Sequence, residues 1–257
     1  MKIGWIQDNS AYEGGAEMAA SMIRRSAPDN VVIIDIDSDP YADVDMYLVH
    51  NCALYDTSLI PILSKKPVVK ICYDVWLEGD PMVRKWVFDY AAKIITVSPT
   101  MKNWMPSIRA PIVSIPCPID LAPFEAVSNS ENRSGVCWIG RLHPGKGVKE
   151  ALEWSKSTGI LVDFYGYGGE KERVEASACR YCGSLQYSDI PKTLAKYNSF
   201  LFLPTLPDAC TRTVMEAWAA GCELIVNDMT GALWWIDNAP ERLFNISDQY
   251  WAEILKG

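Results

Sequence analysis

No stretch of this sequence approaches the roughly 18 consecutive apolar residues that a membrane-spanning helix needs. The opening apolar run covers only Ile3 to Ile6 before Gln7 and Asp8, too short for the core of a secretory signal. Positive charge is also scarce: 24 Lys and Arg stand against 32 Asp and Glu, a net charge of −8. A phosphate backbone is held by clustered cations, so this balance argues against nucleic acid as a main partner, and it disfavours docking on anionic lipid. Paired metal ligands are missing too. Of eight cysteines, Cys52, Cys72, Cys117, Cys137, Cys210 and Cys222 stand singly. Only Cys179 and Cys182 form a close pair, and without a second pair at metal spacing a zinc site is not expected. With no secretory signal, the thiols are expected to be free, in a reducing cytoplasmic setting. Finally, G-x-G-x-x-G is absent after the first strand, which argues against a nicotinamide-dependent enzyme.

What the sequence does hold is strand and helix in alternation. Its 257 residues give room for two α/β domains of roughly 125 residues each, and a composition half apolar and about a fifth charged lets each bury a core. β-branched runs predict strands at 2–7, 31–35, 46–50, 68–73, 94–98 and 112–115. Apolar residues at three- and four-residue spacing predict helices at 16–25 and 82–92. Residues 126–133 (AVSNSENR) are polar and without period, and read as a linker. The alternation then restarts, with strands at 136–139, 161–165, 200–203 and 223–226 and helices at 148–155, 190–197 and 213–220. The expected division is 1–125 and 134–248, and the last helix, 249–257, is a candidate to join the first part. Two doubly wound, parallel-sheet halves of this kind are expected to bind a ligand at the carboxyl ends of their strands, in a cleft between them.

Several segments could carry chemistry. Glu13-Gly14-Gly15-Ala16-Glu17 follows the first strand and opens the first helix, where glycines admit a ligand and free N–H groups face an anion. A plain strand-to-helix turn would look the same. GRLHPGKG at 140–147 holds the corresponding place in the second half. It nearly spells a triphosphate loop, but Gly147 stands where the magnesium-binding hydroxyl must be. What survives is Arg141 and Lys146, a planar fork and a point charge able to grip a diphosphate without metal, or else two solvated cations. Asp208 ends the loop after the FLFLP run, and Glu216 lies in the helix that follows. The start of that helix, from Thr211 through Thr213 and Val214, presents backbone donors to an anion, while the two acids can accept from sugar and ribose hydroxyls. Both acids could equally be ordinary helix residues. His50 closes the third strand, where ligand-facing residues belong, and His143 sits in a Pro/Gly turn. Asp35-x-Asp37-x-Asp39 fails as a calcium loop, with Pro40 at the glycine position and Met46 at the bidentate glutamate position, and reads as a solvated strand end.

In this order the segments GGAE (14–17), DMYLVH ending at His50, TVS (96–98), IPCPID (115–120), GRLHPGKG (140–147), YGYG (165–168) and the long run from 190 to 221 resemble the family 4 retaining glycosyltransferases. The resemblance implies a GT-B fold, a nucleotide-diphosphate sugar as donor, retention at the anomeric carbon and no required metal or other cofactor. It implies that Gly14 and Gly15 bring backbone amides to the donor phosphate and that His50 sits by the transferred sugar. Arg141 and Lys146 would neutralise the departing diphosphate, Asp208 would contact sugar hydroxyls and Glu216 the ribose. Gly166, Gly168, Thr213 and Val214 would complete the donor site. Three departures stand out: Asp208 is shorter than the family's usual Glu, Tyr73 replaces a His common at that strand end, and the first domain is trimmed. The acceptor, the sugar and the base are not specified. A non-catalytic nucleotide-sugar-binding protein and a sugar-nucleotide epimerase on the same fold are the alternatives.

Overall fold

The structure is a computed structural model that describes residues 1–8, 15–50, 54–74, 80–105 and 107–256; Glu13, Gly14 and Cys52 lie outside the described residues. The chain divides into unit 1, Met1–Ile119 with Glu241–Gly257, and unit 2, Asp120–Pro240.

Unit 1 begins with β1 (Lys2–Ile6), α1 (Gly15–Arg25), β2 (Val32–Asp35), β3 (Met46–Val49), α2 (Ile60–Leu63), β4 (Val68–Cys72), α3 (Pro81–Tyr90), β5 (Lys93–Thr96) and β6 (Ile112–Ser114). Its sheet is parallel throughout, in the order β2-β1-β3-β4-β5-β6. Central parallel strands are covered on both faces, so they must be apolar along their whole length. All four residues of β3 (Met-Tyr-Leu-Val) are accordingly buried, whereas Val32 on the edge strand β2 is exposed. Local signals set the helix ends. Pro81 opens α3 behind Asp80, whose Oδ1 accepts from the Met82 amide at 2.7 Å.

Unit 2 runs α4 (Ala122–Glu125), β7 (Val136–Arg141), α5 (Val148–Thr158), β8 (Val162–Tyr167), α6 (Lys171–Glu175), β9 (Arg180–Tyr181), α7 (Ile190–Leu194), β10 (Ser199–Phe202), α8 (Arg212–Ala219), β11 (Glu223–Val226) and α9 (Ala232–Asn238). Its parallel sheet is ordered β11-β10-β7-β8-β9. Trp138 fills the core, 5.6 Å from the Phe164 ring and 6.3 Å from that of Phe202. The chain then returns to unit 1 through α10 (Ile246–Ile254). Tyr250 donates to the Ile115 carbonyl at 3.3 Å, Trp251 Nε1 to that of Ile23 at 2.9 Å, and Glu253 pairs with Lys93 at 2.7 Å.

Residues 126–133, expected as a linker, are instead fastened into unit 2. Arg133 is the reason: its guanidinium donates to the carbonyls of Val127 and Ala220 at 2.6 Å each and of Ser130 and Tyr197 at 3.2 Å. One planar fork thus ties this segment to the turns after α7 and α8. A lysine ammonium cannot span the same acceptors. Arg133→Lys is therefore expected to cost unit 2 at least about 2 kcal/mol, read as a lowered denaturant midpoint.

The strand orders matter for function. Each reverses direction once, between β1 and β3 in unit 1 and between β7 and β10 in unit 2. At such a switch point the loops leaving neighbouring strands part to opposite faces and leave a crevice at the carboxyl ends.

Candidate functional site

In unit 2, the two loops that part at the switch point are the one after β7, carrying Lys146, and the one after β10, carrying Asp208. They meet. Lys146 Nζ lies 2.5 Å from Asp208 Oδ2, and the Thr205 amide donates to the Gly145 carbonyl at 3.2 Å. Asp208 is held on its other side by a short parallel bridge: its amide donates to the Met229 carbonyl and its carbonyl accepts from the Gly231 amide, both at 2.8 Å. Arg141 ends β7 beside this loop, with its side chain exposed. His143 has a local task, since its Nδ1 accepts from the Gly145 amide at 3.2 Å and caps the turn that displays Lys146.

Glycine is required here by space. Gly147 has φ of +75°, and a Cβ on it would come within 1.8 Å of the Leu203 carbonyl oxygen, so only glycine lets the two loops approach. Gly166 and Gly168 face the same constraint against the carbonyls of Gly140 and Leu142, at 1.8 Å and 2.4 Å. Their small size is thus already explained by the packing of β8 against the end of β7.

The loop from Asp208 leads into α8, and there polar atoms stand buried without partners. Thr211, at the N-cap, makes no capping bond, and its Oγ1 is buried and unpartnered among the described residues. The same holds for Arg212 Nε, Glu216 Oε2 and, beside Asp208 in the bridge, Thr230 Oγ1. Buried polar groups are normally satisfied, because each orphan costs about 1–3 kcal/mol. These four lie on α8, at its N-cap or in the bridge beside Asp208; elsewhere in unit 2, Trp138 Nε1 and Glu150 Oε2 are likewise buried and unpartnered among the described residues. Val214 is buried behind them, and Thr213 is half-buried on the first turn.

Glu216 is 1% exposed, and burial raises its carboxyl to about pH 7, against an opposing pull from the Arg212 guanidinium and the Tyr187 hydroxyl. Arg212 Nη2 donates to Tyr187 Oη at 3.2 Å, with the guanidinium 5.4 Å from the centre of the Tyr187 ring. Neither residue belongs to the set read from the sequence. Arg212 lies between Asp208 and Glu216 at the very start of the helix, a visible signal; Tyr187, 29 positions before Glu216, gives none.

In unit 1 the corresponding point lies between β1 and β3. Gly15 begins α1 there, and His50 directly follows β3. His50 is fully buried, with Nδ1 2.8 Å from Tyr73 Oη and the Trp5 ring tilted by 31° against it at 4.0 Å between ring centres. Its Nε2 is buried without a partner among the described residues. Burial, then Lys70 and Arg24, hold its imidazole well below the usual histidine range, so it is neutral at physiological pH.

The acids at 35–39 are otherwise occupied. Asp35 pairs with Arg24 at 2.6 Å, Asp37 accepts from Tyr55 Oη at 2.5 Å and Asp39 from the Tyr41 amide at 3.3 Å. Cys179 and Cys182 are both free thiols.

No protein-family model and no curated protein sequence matches this chain. Solved structures share its fold. Anabaena Alr3699/HepE in complex with UDP is similar over all of this chain and 91% of its own, with a TM-score of 0.70 at 15% identity. A glycosyltransferase from Rickettsia africae is similar over 92% of this chain and 82% of its own, with a TM-score of 0.66 at 14% identity. The DNA-modifying enzyme β-glucosyltransferase is similar over 97% and 86%, with a TM-score of 0.57 at 15% identity. The α/β architecture with two parallel sheets is the GT-B fold.

Proposed function

We propose that this chain is a glycosyltransferase that moves a sugar from a nucleoside-diphosphate donor to an acceptor, with retention at the anomeric carbon and without a required metal. The observation that carries the reading is the set of unpartnered buried polar atoms around the start of α8, next to the Lys146–Asp208 pair. A nucleoside diphosphate offers a matching set: phosphate oxygens for N–H groups at a helix start, and a ribose diol for a carboxylate. Glu216 takes the ribose, Asp208 the sugar hydroxyls, and Thr213 and Val214 offer backbone N–H groups to the phosphates. Arg141 and Lys146 face the leaving diphosphate, Gly14 and Gly15 offer backbone amides to the donor phosphate, and His50 serves the transferred sugar. Gly166 and Gly168 shape the β8 side.

Cleaving the bond to a nucleoside diphosphate piles negative charge on the β-phosphate and positive charge on the sugar. Fixed donors aimed at that oxygen lower the barrier most in a site emptied of water. In this reading Lys146 exchanges its Asp208 partner for phosphate when donor binds, which frees Asp208 for the sugar.

A thermal-shift screen of nucleoside diphosphates and their sugars, each with and without EDTA, tests the proposal. Uridine diphosphate is the natural first ligand, since Alr3699/HepE binds it. A donor at about 100 times its Kd stabilises the fold by about 2.7 kcal/mol, and the rise in Tm is expected to survive EDTA. Stabilisation by no nucleoside diphosphate would sink the proposal, and stabilisation only with divalent metal would sink its metal independence. Binding with neither hydrolysis nor transfer would leave a non-catalytic binding protein.

A further inference from the structure

The two ring nitrogens of His50 stand in different surroundings. Nδ1 is 2.8 Å from Tyr73 Oη, whereas Nε2, equally buried, meets nothing among the described residues. Aromatic rings pack against the imidazole. Trp5 covers it at 4.0 Å, the Tyr73 ring lies nearly parallel to it at 5.9 Å, and Lys70 Nζ donates to the His50 carbonyl. The Trp5 indole N–H is spent on Gln7 Oε1 at 3.0 Å, so it does not compete for either nitrogen.

We infer that Tyr73 is a positioning residue: its hydroxyl donates to His50 Nδ1 and so fixes the Nε2–H tautomer, making His50 a neutral hydrogen-bond donor to an oxygen of the sugar donor. The inference rests on the glycosyl-transfer reading for the identity of that oxygen, but not for the tautomer.

Two arrangements fit a contact of 2.8 Å: phenol O–H to Nδ1, or Nδ1–H to the phenol oxygen. Phenol is the better acid and imidazole the better base, so O–H···N is the stronger bond. The reverse leaves the phenolic hydrogen buried with no acceptor among the described residues. It also presents a bare lone pair at Nε2 to a ligand rich in anionic oxygens. The tyrosine at this strand end thus does more than fill the space of a histidine. It selects which nitrogen of His50 carries the proton.

Nitrogen-15 NMR of histidine-labelled protein reads the tautomer without any ligand. The chain has two histidines, and loss of one signal set in His50→Gln assigns the other to His143. The wild type is expected to show protonated Nε2 and unprotonated Nδ1 at His50 from about pH 6 to 8. In Tyr73→Phe the preference should be lost, and turnover of a nucleotide sugar should fall about tenfold, with the Kd for the nucleoside diphosphate unchanged. His50→Gln, whose side-chain amide reaches toward the Nε2 position, should keep more activity than His50→Asn. Protonated Nδ1 in the wild type, or an unmoved tautomer in Tyr73→Phe, would overturn the inference. A chain with the Nε2–H tautomer that binds no nucleoside diphosphate would refute the transferase reading and leave the tautomer assignment standing.

Discussion

Glu216→Gln is expected to stabilise the folded chain at pH 8 by about 3 kcal/mol while weakening nucleoside-diphosphate binding about 10- to 100-fold. The two effects have one cause. Burial raises the carboxyl from 4.5 to about 7, so between those values the folded state holds a proton that the unfolded state has lost. Stability therefore falls as pH rises through this window, and the whole penalty is present above about pH 7. Glutamine cannot ionise and escapes it. Below about pH 4.5 both forms are neutral and the difference should vanish. Donor binding has the opposite dependence, because the ribose diol bonds best to the ionised carboxylate. The wild-type Kd should fall from about pH 6 to 8, and that slope should disappear in Glu216→Gln. Arg212 and Tyr187 are the groups acting on this carboxyl. Glu125, Glu223 and Asp237, on the elements packed against α8, are exposed. Denaturant melts at about pH 5 and pH 8, with donor titrations at the same values, separate the effects. Loss of stability at pH 8 without loss of affinity would mark Glu216 as a structural residue.

Lys146→Ala and Arg141→Ala should each lower kcat/KM at least about 100-fold in a chain that still folds. For Lys146 the ion pair with Asp208 demands a control, since removing the lysine leaves that nearly buried carboxylate without its cation. If Lys146 served only to neutralise Asp208, then Lys146→Ala would lower kcat/KM no further in an Asp208→Asn background. If it acts on the leaving diphosphate, the double variant stays slow although its stability improves. A double-mutant cycle run on both stability and kcat/KM distinguishes the two, because the coupling should be large in the first measurement and small in the second. Turnover like the wild type in either single variant would remove the proposed role.

Much of this arrangement is legible in the sequence, for a physical reason. Central strands of a parallel sheet are buried on both faces, so β3 shows as an unbroken apolar run and β4 as one interrupted only by Lys70. Strand β11 matches its expected range, and β8 simply continues past 165 to Tyr167. Elements of four or five residues, such as α2, α4 and α6, are too short to show a period, and the two-residue β9 exists only by pairing with β8. The linker reading of 126–133 failed because polarity and lack of period look alike in a connector and in a segment pinned by one half-buried arginine. The candidate site was visible as separate pieces. Lys146 and Asp208 stood out singly, but contact across 62 positions is a product of strand order, not of either local pattern. Tyr187 and Trp5 carry no local signal, since aromatics more often fill cores.

Hydrogen–deuterium exchange with and without a nucleoside diphosphate puts the central claim to its most direct test. Phosphate bonded at the loop after β7 and at the start of α8 should slow exchange in two separate segments, 141–147 and 208–216, and the slowing should persist in EDTA. Binding that leaves both segments exchanging as in the free chain would contradict the account.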